Sequence, residues 1–156
     1  MQRQRSVGFL IALAHRRIRQ TVSARVSDLR LSPPQFWMLI RILEHEGGSL
    51  GELAQHARLD EPTASRVVFA LAGRGLVRSE VDPGDRRRSR LMMTPEGRRL
   101  TERLLPVSKE IRTAVEGALT SAEREAVTAG LQKVIARLER MEAAAVDGAV
   151  EGSVGP

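Results

Sequence analysis

The sequence predicts a mainly α fold that carries one small β-hairpin wing. Apolar residues recur at spacings of three and four along most of the 156 residues, which is the period of amphipathic helices. Serine, threonine or aspartate stands where several of these stripes begin, as helix N-caps do. Residues 76–93 break the period, because two short apolar segments there flank the turn sequence Asp-Pro-Gly-Asp.

The first predicted helix covers residues 6–29 and has an apolar stripe on one side and an arginine-rich face on the other. A stripe of this length must pack against another helix, in this chain or in a second copy. The second helix begins after the N-cap Ser32, because Pro33 suits the first helical position and Gln35 completes a capping box. Two consecutive glycines, residues 47–48, are expected to end it.

Two more helices follow at close spacing. Ser49 and Glu52 form a second capping box, which predicts a short third helix. Asp60 or Glu61 is expected to cap the fourth helix, which ends within residues 73–75. Two helices joined by a turn of three or four residues make a helix-turn-helix, and a hairpin directly after them makes the winged version.

The hairpin has four arginines at or beside its tip, at positions 86, 87, 88 and 90. The guanidinium group is planar and always charged, so it fits phosphates and enters narrow minor grooves. The tip is therefore a candidate probe for a polyanion, although a charge run of this kind can also be a solvated surface.

The C-terminal part predicts two further helices. Thr94 caps a helix over residues 95–119, which Pro106 should kink, and a third capping box opens a helix over residues 121–145. The terminal helices are not expected to join the winged core, so a symmetric homodimer built from both termini would cover their stripes. The predicted organisation is an N-terminal dimerisation helix (1–31), a winged helix-turn-helix DNA-binding domain (32–94), C-terminal dimerisation helices (95–146) and a disordered tail (147–156).

Composition narrows the function. The net charge is +6, which favours a polyanionic partner, and aromatic residues make up only 3%, which argues against a stacking platform for single strands. The absence of cysteine excludes disulfides and thiolate metal sites, and the three histidines have no metal-ligand spacing, so we expect neither a metal nor a cofactor.

Other classes of protein lack support in the sequence. We find no glycine-rich phosphate loop and no nucleophile–base set, so we expect no enzyme. No apolar run approaches about 18 residues and no export signal is visible, so we expect a cytoplasmic protein with no membrane partner. Two alternatives to a specific DNA-binding regulator stay open: a winged-helix module that binds protein, and a non-specific architectural DNA-binding module without an effector.

The order of these parts, and the residues at their junctions, resemble the MarR family of bacterial transcription regulators over about residues 32–100. The resemblance is carried by these motifs: Ser32-Pro33-Pro34-Gln35-Phe36, Leu50-x-x-Leu53-Ala54, Leu59-Asp60-x-x-Thr63-x-Ser65-Arg66-Val67-Val68-x-x-Leu71, Arg74-Gly75-Leu76-Val77, Asp82-Pro83-x-Asp85-Arg86-Arg87 and Leu91-x-Met93-Thr94-x-x-Gly97. The resemblance implies a dimeric repressor of transcription with one winged helix-turn-helix in each lobe. It also implies a double-stranded, pseudopalindromic operator and release by a small aromatic or phenolic acid.

Candidate site residues follow from these parts. The recognition helix should present Pro62, Thr63, Ser65 and Arg66 to base edges, because hydroxyls and arginine can bond bases in the major groove. Capping is the alternative role for its two hydroxyl residues. Phe69 departs from the polar residues usual there, and it could be packed or could touch a thymine methyl group.

The wing and the helix starts supply the other candidates. In the wing, Arg86 should enter the minor groove with Arg87 beside it, Arg88 and Arg90 should meet phosphates or solvent, and Asp85 should hold a neighbouring arginine. Phosphate contacts are expected where backbone N–H groups are exposed at helix starts, with simple capping as the alternative, at Ser32, Gln35 and Ser49. An effector pocket would lie where the first, second and fifth helices meet the winged core, and its candidate lining residues are His15, Arg16 and Trp37. A half-exposed surface position is the alternative for His15, and a core position is the alternative for Trp37.

Overall fold

The computed structural model describes residues 6–151. Its elements are α1 (Val7–Val26), α2 (Pro33–Glu44), α3 (Leu50–Ala57), α4 (Glu61–Gly73), β1 (Val77–Val81), β2 (Ser89–Met93), α5 (Pro95–Glu116) and α6 (Ser121–Glu151). The mainly α fold with a two-stranded wing is therefore confirmed. The chain divides after Ile111 into two compact units, which are described separately below.

The first helix is shorter than predicted. It ends at Val26, and a 3-10 turn over Ser27–Leu29 replaces the last turn of the expected helix. Arg30 then takes a left-handed backbone conformation with a φ of 50°. The guanidinium group of Arg74, just after α4, donates hydrogen bonds to the carbonyl oxygens of Leu29 and Arg30, at 3.0 and 2.9 Å. These two bonds hold the linker between α1 and α2 against the end of α4.

The helix starts follow the predicted capping chemistry. Ser32 accepts from the backbone N–H of Gln35 while the Gln35 side chain accepts from the N–H of Ser32, which completes the capping box of α2. The same reciprocal pair joins Ser49 and Glu52 at α3. Asp60, rather than Glu61, caps α4. Local sequence therefore sets the starts of all three helices of the winged domain.

The hairpin is bound on both sides of its second strand. β1 and β2 pair antiparallel, with Val77 opposite Met93 and Val81 opposite Ser89. On its other edge, Leu91 of β2 exchanges two backbone hydrogen bonds with Gly47 and Gly48, at 2.9 and 3.0 Å. The φ of Gly47 is 87°, a conformation that an L residue rarely adopts. α2 ends at Glu44, before the glycine pair that was expected to end it. The pair instead binds the outer edge of β2 through these two backbone hydrogen bonds.

Two of the three terminal helices, α1 and α5, contribute to the core, contrary to the prediction that they lie outside it. Val22 and Val26 of α1 and Leu104 and Ile111 of α5 are buried in one cluster with the apolar faces of the winged domain. The reason is that the two halves of the apolar stripe on a long helix can lie in different surroundings. The second half of α1 is buried here, whereas its first half, from Val7 to Ile11, stays exposed.

α5 approaches the hairpin closely at Gly97. A Cβ atom at this position would lie 1.8 Å from the carbonyl oxygen of Leu76. Thr94 caps the helix by accepting from the Gly97 N–H at 3.0 Å, and its own hydroxyl lies 2.6 Å from the Gly75 carbonyl oxygen. The helix then continues through Pro106 to Glu116, three residues short of the predicted end, and a kink at the proline stays a prediction.

The second unit contains the end of α5 and the long helix α6. The predicted capping box at Thr120 and Glu123 is present, with hydrogen bonds of 2.9 and 3.3 Å. Large apolar side chains of α6 are exposed, namely Val127, Leu131, Val134, Ile135, Leu138 and Met141. The helix extends to Glu151, beyond the predicted end at 145, so the tail expected to be disordered from residue 147 is helical at its start; residues 152–156 lie outside the described residues.

Candidate nucleic-acid interface

α4 presents a polar and accessible face at its N-terminal end. Asp60 accepts a 2.8 Å hydrogen bond from the backbone N–H of Thr63, and hydrogen bonding from the Thr63 side chain and backbone lowers the pKa of this carboxyl. Pro62, Ser65 and Arg66 are exposed, and Thr63 is half-buried. The structure therefore brings all four predicted recognition residues to the start of one helix.

Two of these residues are paired with each other. A guanidinium nitrogen of Arg66 donates to the hydroxyl of Thr63 at 3.2 Å. Asp60 supplies the side-chain cap of α4, so neither Thr63 nor Ser65 takes the N-cap position that was their alternative role. The Thr63 side chain hydrogen-bonds both to the capping carboxylate of Asp60 and to the guanidinium group of Arg66.

The turn between α3 and α4 uses an unusual backbone conformation. Arg58 has a φ of 56°, and its N–H donates to carbonyl oxygens of the last turn of α3. A non-glycine residue in this left-handed region costs roughly 1–2 kcal/mol. The short turn therefore fixes the direction of α4 relative to α3 at some cost in stability.

The wing loop turns at its arginines and not at the Asp-Pro-Gly-Asp sequence that suggested a turn. The N–H of Arg88 donates to the carbonyl oxygen of Asp85 at 2.9 Å, which places Arg86 and Arg87 at the two central positions of a β-turn. Gly84 would tolerate a positive φ but does not adopt one. The two arginines predicted to contact DNA thus occupy the β-turn of the loop that joins β1 to β2, and both are exposed.

Aspartates hold this loop from within. The carboxylate of Asp82 accepts from the N–H groups of Gly84 and Asp85, at 2.7 and 3.1 Å, and these bonds lower the pKa of Asp82. Asp85 accepts from the N–H of Arg87 at 3.0 Å. Asp85 therefore holds a neighbouring arginine, Arg87, through its backbone N–H.

The four wing arginines divide into two kinds. Arg88 forms an ion pair of 3.3 Å with Glu52 of α3, and Arg90 forms one of 3.5 Å with Glu80 of β1. Within residues 6–144, whose side chains the structure describes, Arg86 and Arg87 have no hydrogen-bond or ion-pair partner for their guanidinium groups. The pair at the tip can therefore meet an external anion without first breaking a contact.

The predicted phosphate contacts lie at capped helix starts. Ser32 and Gln35 bond to each other, and the Ser49 hydroxyl and backbone bond to Glu52. Hydrogen bonding from the Ser49 backbone, then from its side chain, lowers the pKa of Glu52, with a smaller contribution from Arg88. Capping is thus present at both positions, and a phosphate contact there stays a prediction.

A groove of about 350 Å³ lies between α1 and the start of α2. It is lined by His15, Arg16, Arg19, Gln20, Ser23 and Pro33. Two of the three predicted effector residues line it, and Trp37 does not. Trp37 instead packs edge-to-face on Phe36, with ring centroids 4.8 Å apart, as expected for a side chain against the core.

Sequence reasoning missed several residues of these sites. Arg19, Gln20 and Ser23 share the groove with His15 and Arg16 because they follow at helical spacing, a signal that was available in the sequence. The role of Glu52 in holding Arg88 had no such signal, because the two residues meet only in the folded domain. Among the described residues, no three histidine, aspartate or glutamate side chains are placed so that they could hold a metal ion, and no helix is long and apolar enough to cross a membrane.

Comparison with known proteins gives consistent matches. The model of the MarR family matches residues 31–89. The HTH-type transcriptional repressor NicR of Pseudomonas putida is 31% identical over 129 residues, which are 83% of this chain and 82% of NicR. Among solved structures, BpsR of Bordetella bronchiseptica, described as regulated in DNA binding by 6-hydroxynicotinic acid, has a TM-score of 0.73 and 30% identity over 84% of this chain and 94% of its own. A MarR-family regulator from Silicibacter pomeroyi has a TM-score of 0.68 and 31% identity over 83% of this chain and 88% of its own.

Proposed function

This chain belongs to the MarR family of transcription regulators, and from that premise we propose that it is a repressor whose homodimer binds a pseudopalindromic operator and is released by a small aromatic acid. The observation that carries the DNA-binding part is the pair of unpartnered arginines at the tip of an internally bonded wing, in the same compact unit as the exposed start of α4. We propose no catalytic activity.

The proposed major-groove reader is α4. Its exposed first two turns carry an arginine and a hydroxyl residue, and arginine can bond guanine through two parallel hydrogen bonds. Arg66 is the proposed base reader, with Thr63 as the residue that orients it before binding and Ser65 beside it. Pro62 lies at the same accessible end of the helix, where its ring could contact DNA but its backbone cannot donate a hydrogen bond.

The proposed minor-groove reader is the wing. Arg86 and Arg87 project from the turn, and the negative potential of a narrow minor groove attracts such groups. Arg88 and Arg90 are paired with Glu52 and Glu80, so we assign them to the support of the wing, with phosphate contact as a secondary role. Asp85 shapes the turn from within the loop.

The sugar–phosphate backbone is proposed to meet the starts of α2 and α3. Backbone N–H groups at a helix start attract a phosphate, and Ser32, Gln35 and Ser49 lie at two such starts. A phosphate there would share these residues with the capping bonds, or replace those bonds. These contacts would set the position of the protein on DNA without reading its sequence.

Exposed apolar stripes support the homodimer. In the first unit, Val7, Phe9, Leu10 and Ile11 of α1 are exposed, and in the second unit α6 exposes a stripe of its own. Contiguous apolar surface of this kind commonly marks a protein–protein interface. A twofold dimer presents two copies of α4, and a pseudopalindromic site mirrors that symmetry with half-sites about one helical turn, roughly 34 Å, apart.

The groove on α1 supports an effector of defined chemistry. Arg16 and Arg19 would attract a carboxylate, and His15 and Gln20 offer hydrogen bonds to a ring substituent. The groove volume of about 350 Å³ lies at the small end of the range for ligand sites. By similarity to BpsR, whose regulator is 6-hydroxynicotinic acid, we propose a hydroxylated aromatic or heteroaromatic acid for this chain.

Selection of bound sequences from a random DNA pool tests the DNA-binding proposal. We expect enrichment of an inverted repeat with half-sites about ten base pairs apart, at a stated salt concentration. Tight binding at low salt without an enriched sequence would show a non-specific architectural protein. A dimer that binds no DNA at low salt would instead show a protein-interaction module.

Calorimetric titration with 6-hydroxynicotinic acid tests the effector site. We expect Arg16→Ala and Arg19→Ala to weaken binding at least tenfold, about 1.4 kcal/mol, because each removes a charge-assisted bond to the carboxylate. Arg25→Ala is the matched control, since Arg25 is an exposed arginine of the same helix that pairs with Glu110 outside the groove. Equal losses in all three variants would contradict the assignment of the groove.

A further inference from the structure

Phe69 occupies an unusual position for a large apolar side chain. It lies in the C-terminal half of α4, and 81% of it is exposed. No other large apolar residue whose side chain the structure describes is as exposed. The core gains almost nothing from this ring, so packing within the described chain does not account for a phenylalanine here.

The ring lies on the face of α4 that we propose for DNA. Residues three, four and seven positions apart share one face of a helix, and Phe69 follows Arg66, Ser65 and Pro62 at these spacings. The buried residues Ala64 and Leu71 point the other way, into the core. Phe69 therefore continues the proposed reading surface toward the C-terminal half of α4.

Its distance along the helix gives the register of a contact. Seven residues separate Phe69 from Pro62, which is about 10 Å along the axis at 1.5 Å per residue. Successive base pairs are about 3.4 Å apart along the DNA axis, so this distance spans at most roughly three base-pair steps. Phe69 would thus meet a different base pair from the one that faces the first turn of α4.

We infer that Phe69 is a specificity-determining residue that reads a thymine through its methyl group in the major groove. This inference rests on the proposed function of α4. The ring has no hydrogen-bonding group, so among the base edges of the major groove its complement is the C5-methyl group of thymine, which is the apolar feature there. Contact would remove both apolar surfaces from water and would favour thymine over cytosine at that position.

Single-methyl substitution in the DNA tests this inference. In the site selected for the wild-type dimer, each thymine is replaced in turn by deoxyuridine, which removes only the methyl group. We expect one thymine in each half-site at which the wild-type affinity falls about fourfold, the value for one apolar carbon, and about fifteenfold when both half-sites are changed. Phe69→Ala should bind thymine and deoxyuridine equally at that position and should melt like the wild type, because the removed side chain is exposed.

Phe69→Leu is the conservative variant. Leucine keeps an apolar contact, so it should retain part of the methyl effect, whereas the salt dependence of binding should be the same in all three proteins, since no charge changes. A wild-type protein insensitive to every methyl group, or a methyl effect that persists in full in Phe69→Ala, would overturn the inference while leaving sequence-specific binding intact. Absence of any preferred site for the wild type would instead refute the proposed function, and this inference with it.

Discussion

Replacement of Gly97 by alanine tests how closely α5 packs against the hairpin. The new Cβ atom would lie 1.8 Å from the Leu76 carbonyl oxygen, and real contacts of this kind essentially never fall below 3.0 Å. α5 would therefore have to withdraw by about 1.2 Å, the difference between these two distances. The same carbonyl oxygen accepts a 3.1 Å hydrogen bond from the N–H of Thr94, which the withdrawal would stretch.

Two costs combine in this variant. Overpacking against a backbone that cannot yield costs typically 1–3 kcal/mol, and a weakened hydrogen bond adds about 1 kcal/mol. We expect Gly97→Ala to lower the free energy of unfolding by about 3 kcal/mol, measured by urea denaturation at one fixed protomer concentration.

Gly51→Ala is the matched control for this measurement. Gly51 is also helical, but nothing lies within 4 Å of its added Cβ atom. This control should be neutral or stabilising, by up to about 1 kcal/mol, because alanine is the better helix former. A loss below about 1 kcal/mol in Gly97→Ala would refute the reasoning, since the contact would then be relieved at little cost.

Three further predictions concern the wing, the cap of α4 and the linker after α1. Arg86→Ala should reduce the magnitude of the slope of log affinity against log salt concentration by about 2, for a dimer with one phosphate-region contact per wing. Arg86→Lys keeps the charge and should keep the slope. An unchanged slope in the alanine variant would contradict the wing assignment. The pKa of Asp60 is lowered from 3.8, so its contribution to stability is present above pH 3.8 and is lost as the pH falls through the folded-state pKa. The melting temperature of Asp60→Asn should therefore decline less steeply than that of the wild type below about pH 4. Parallel curves of melting temperature against pH would contradict the cap. Arg74→Ala should lower the free energy of unfolding by about 1–2 kcal/mol, because two hydrogen bonds to backbone carbonyl groups are lost, and denaturation at fixed concentration would detect this.

Local chemistry explains what the sequence predicted well. Each capping box pairs residues only three positions apart, such as Ser49 and Glu52, so the signal and the structure lie in the same few residues. The helix starts that these capping residues mark were sufficient to predict the helix-turn-helix and the position of the hairpin after it. Four recognition residues could be placed on one helix start for the same reason.

Non-local contacts explain most of what the sequence did not predict. An apolar stripe does not identify its partner, so the burial of Val22 and Leu104 in the winged core was not foreseen. The pairing of Gly47 with β2 joins residues that are far apart in the chain, and so does the ion pair of Arg88 with Glu52. The family-like Gly97 motif was visible, but the reason for the glycine, a neighbouring carbonyl, was not.

The turn in the wing was misplaced for a local reason. Asp82 and Asp85 both accept hydrogen bonds from nearby backbone N–H groups, and such side chains compete with the turn that proline and glycine would otherwise favour. The side-chain bonds of these two aspartates therefore shape residues 82–87, and the β-turn forms at Arg86 and Arg87. Proline and glycine favour one turn in this segment and the aspartates favour another, and the residue types alone do not decide between them.

The internal bonding of the wing loop affects the entropy of DNA binding. Flexible loops lose conformational freedom when a partner orders them, and that loss weakens affinity. Here five hydrogen bonds of residues 82–88 already hold the loop backbone in the free protein. The ordering of this backbone therefore takes place during folding, and binding need immobilise only the side chains of Arg86 and Arg87. A wing of this kind should engage DNA with a smaller entropic penalty than an unstructured arginine-rich arm of the same length.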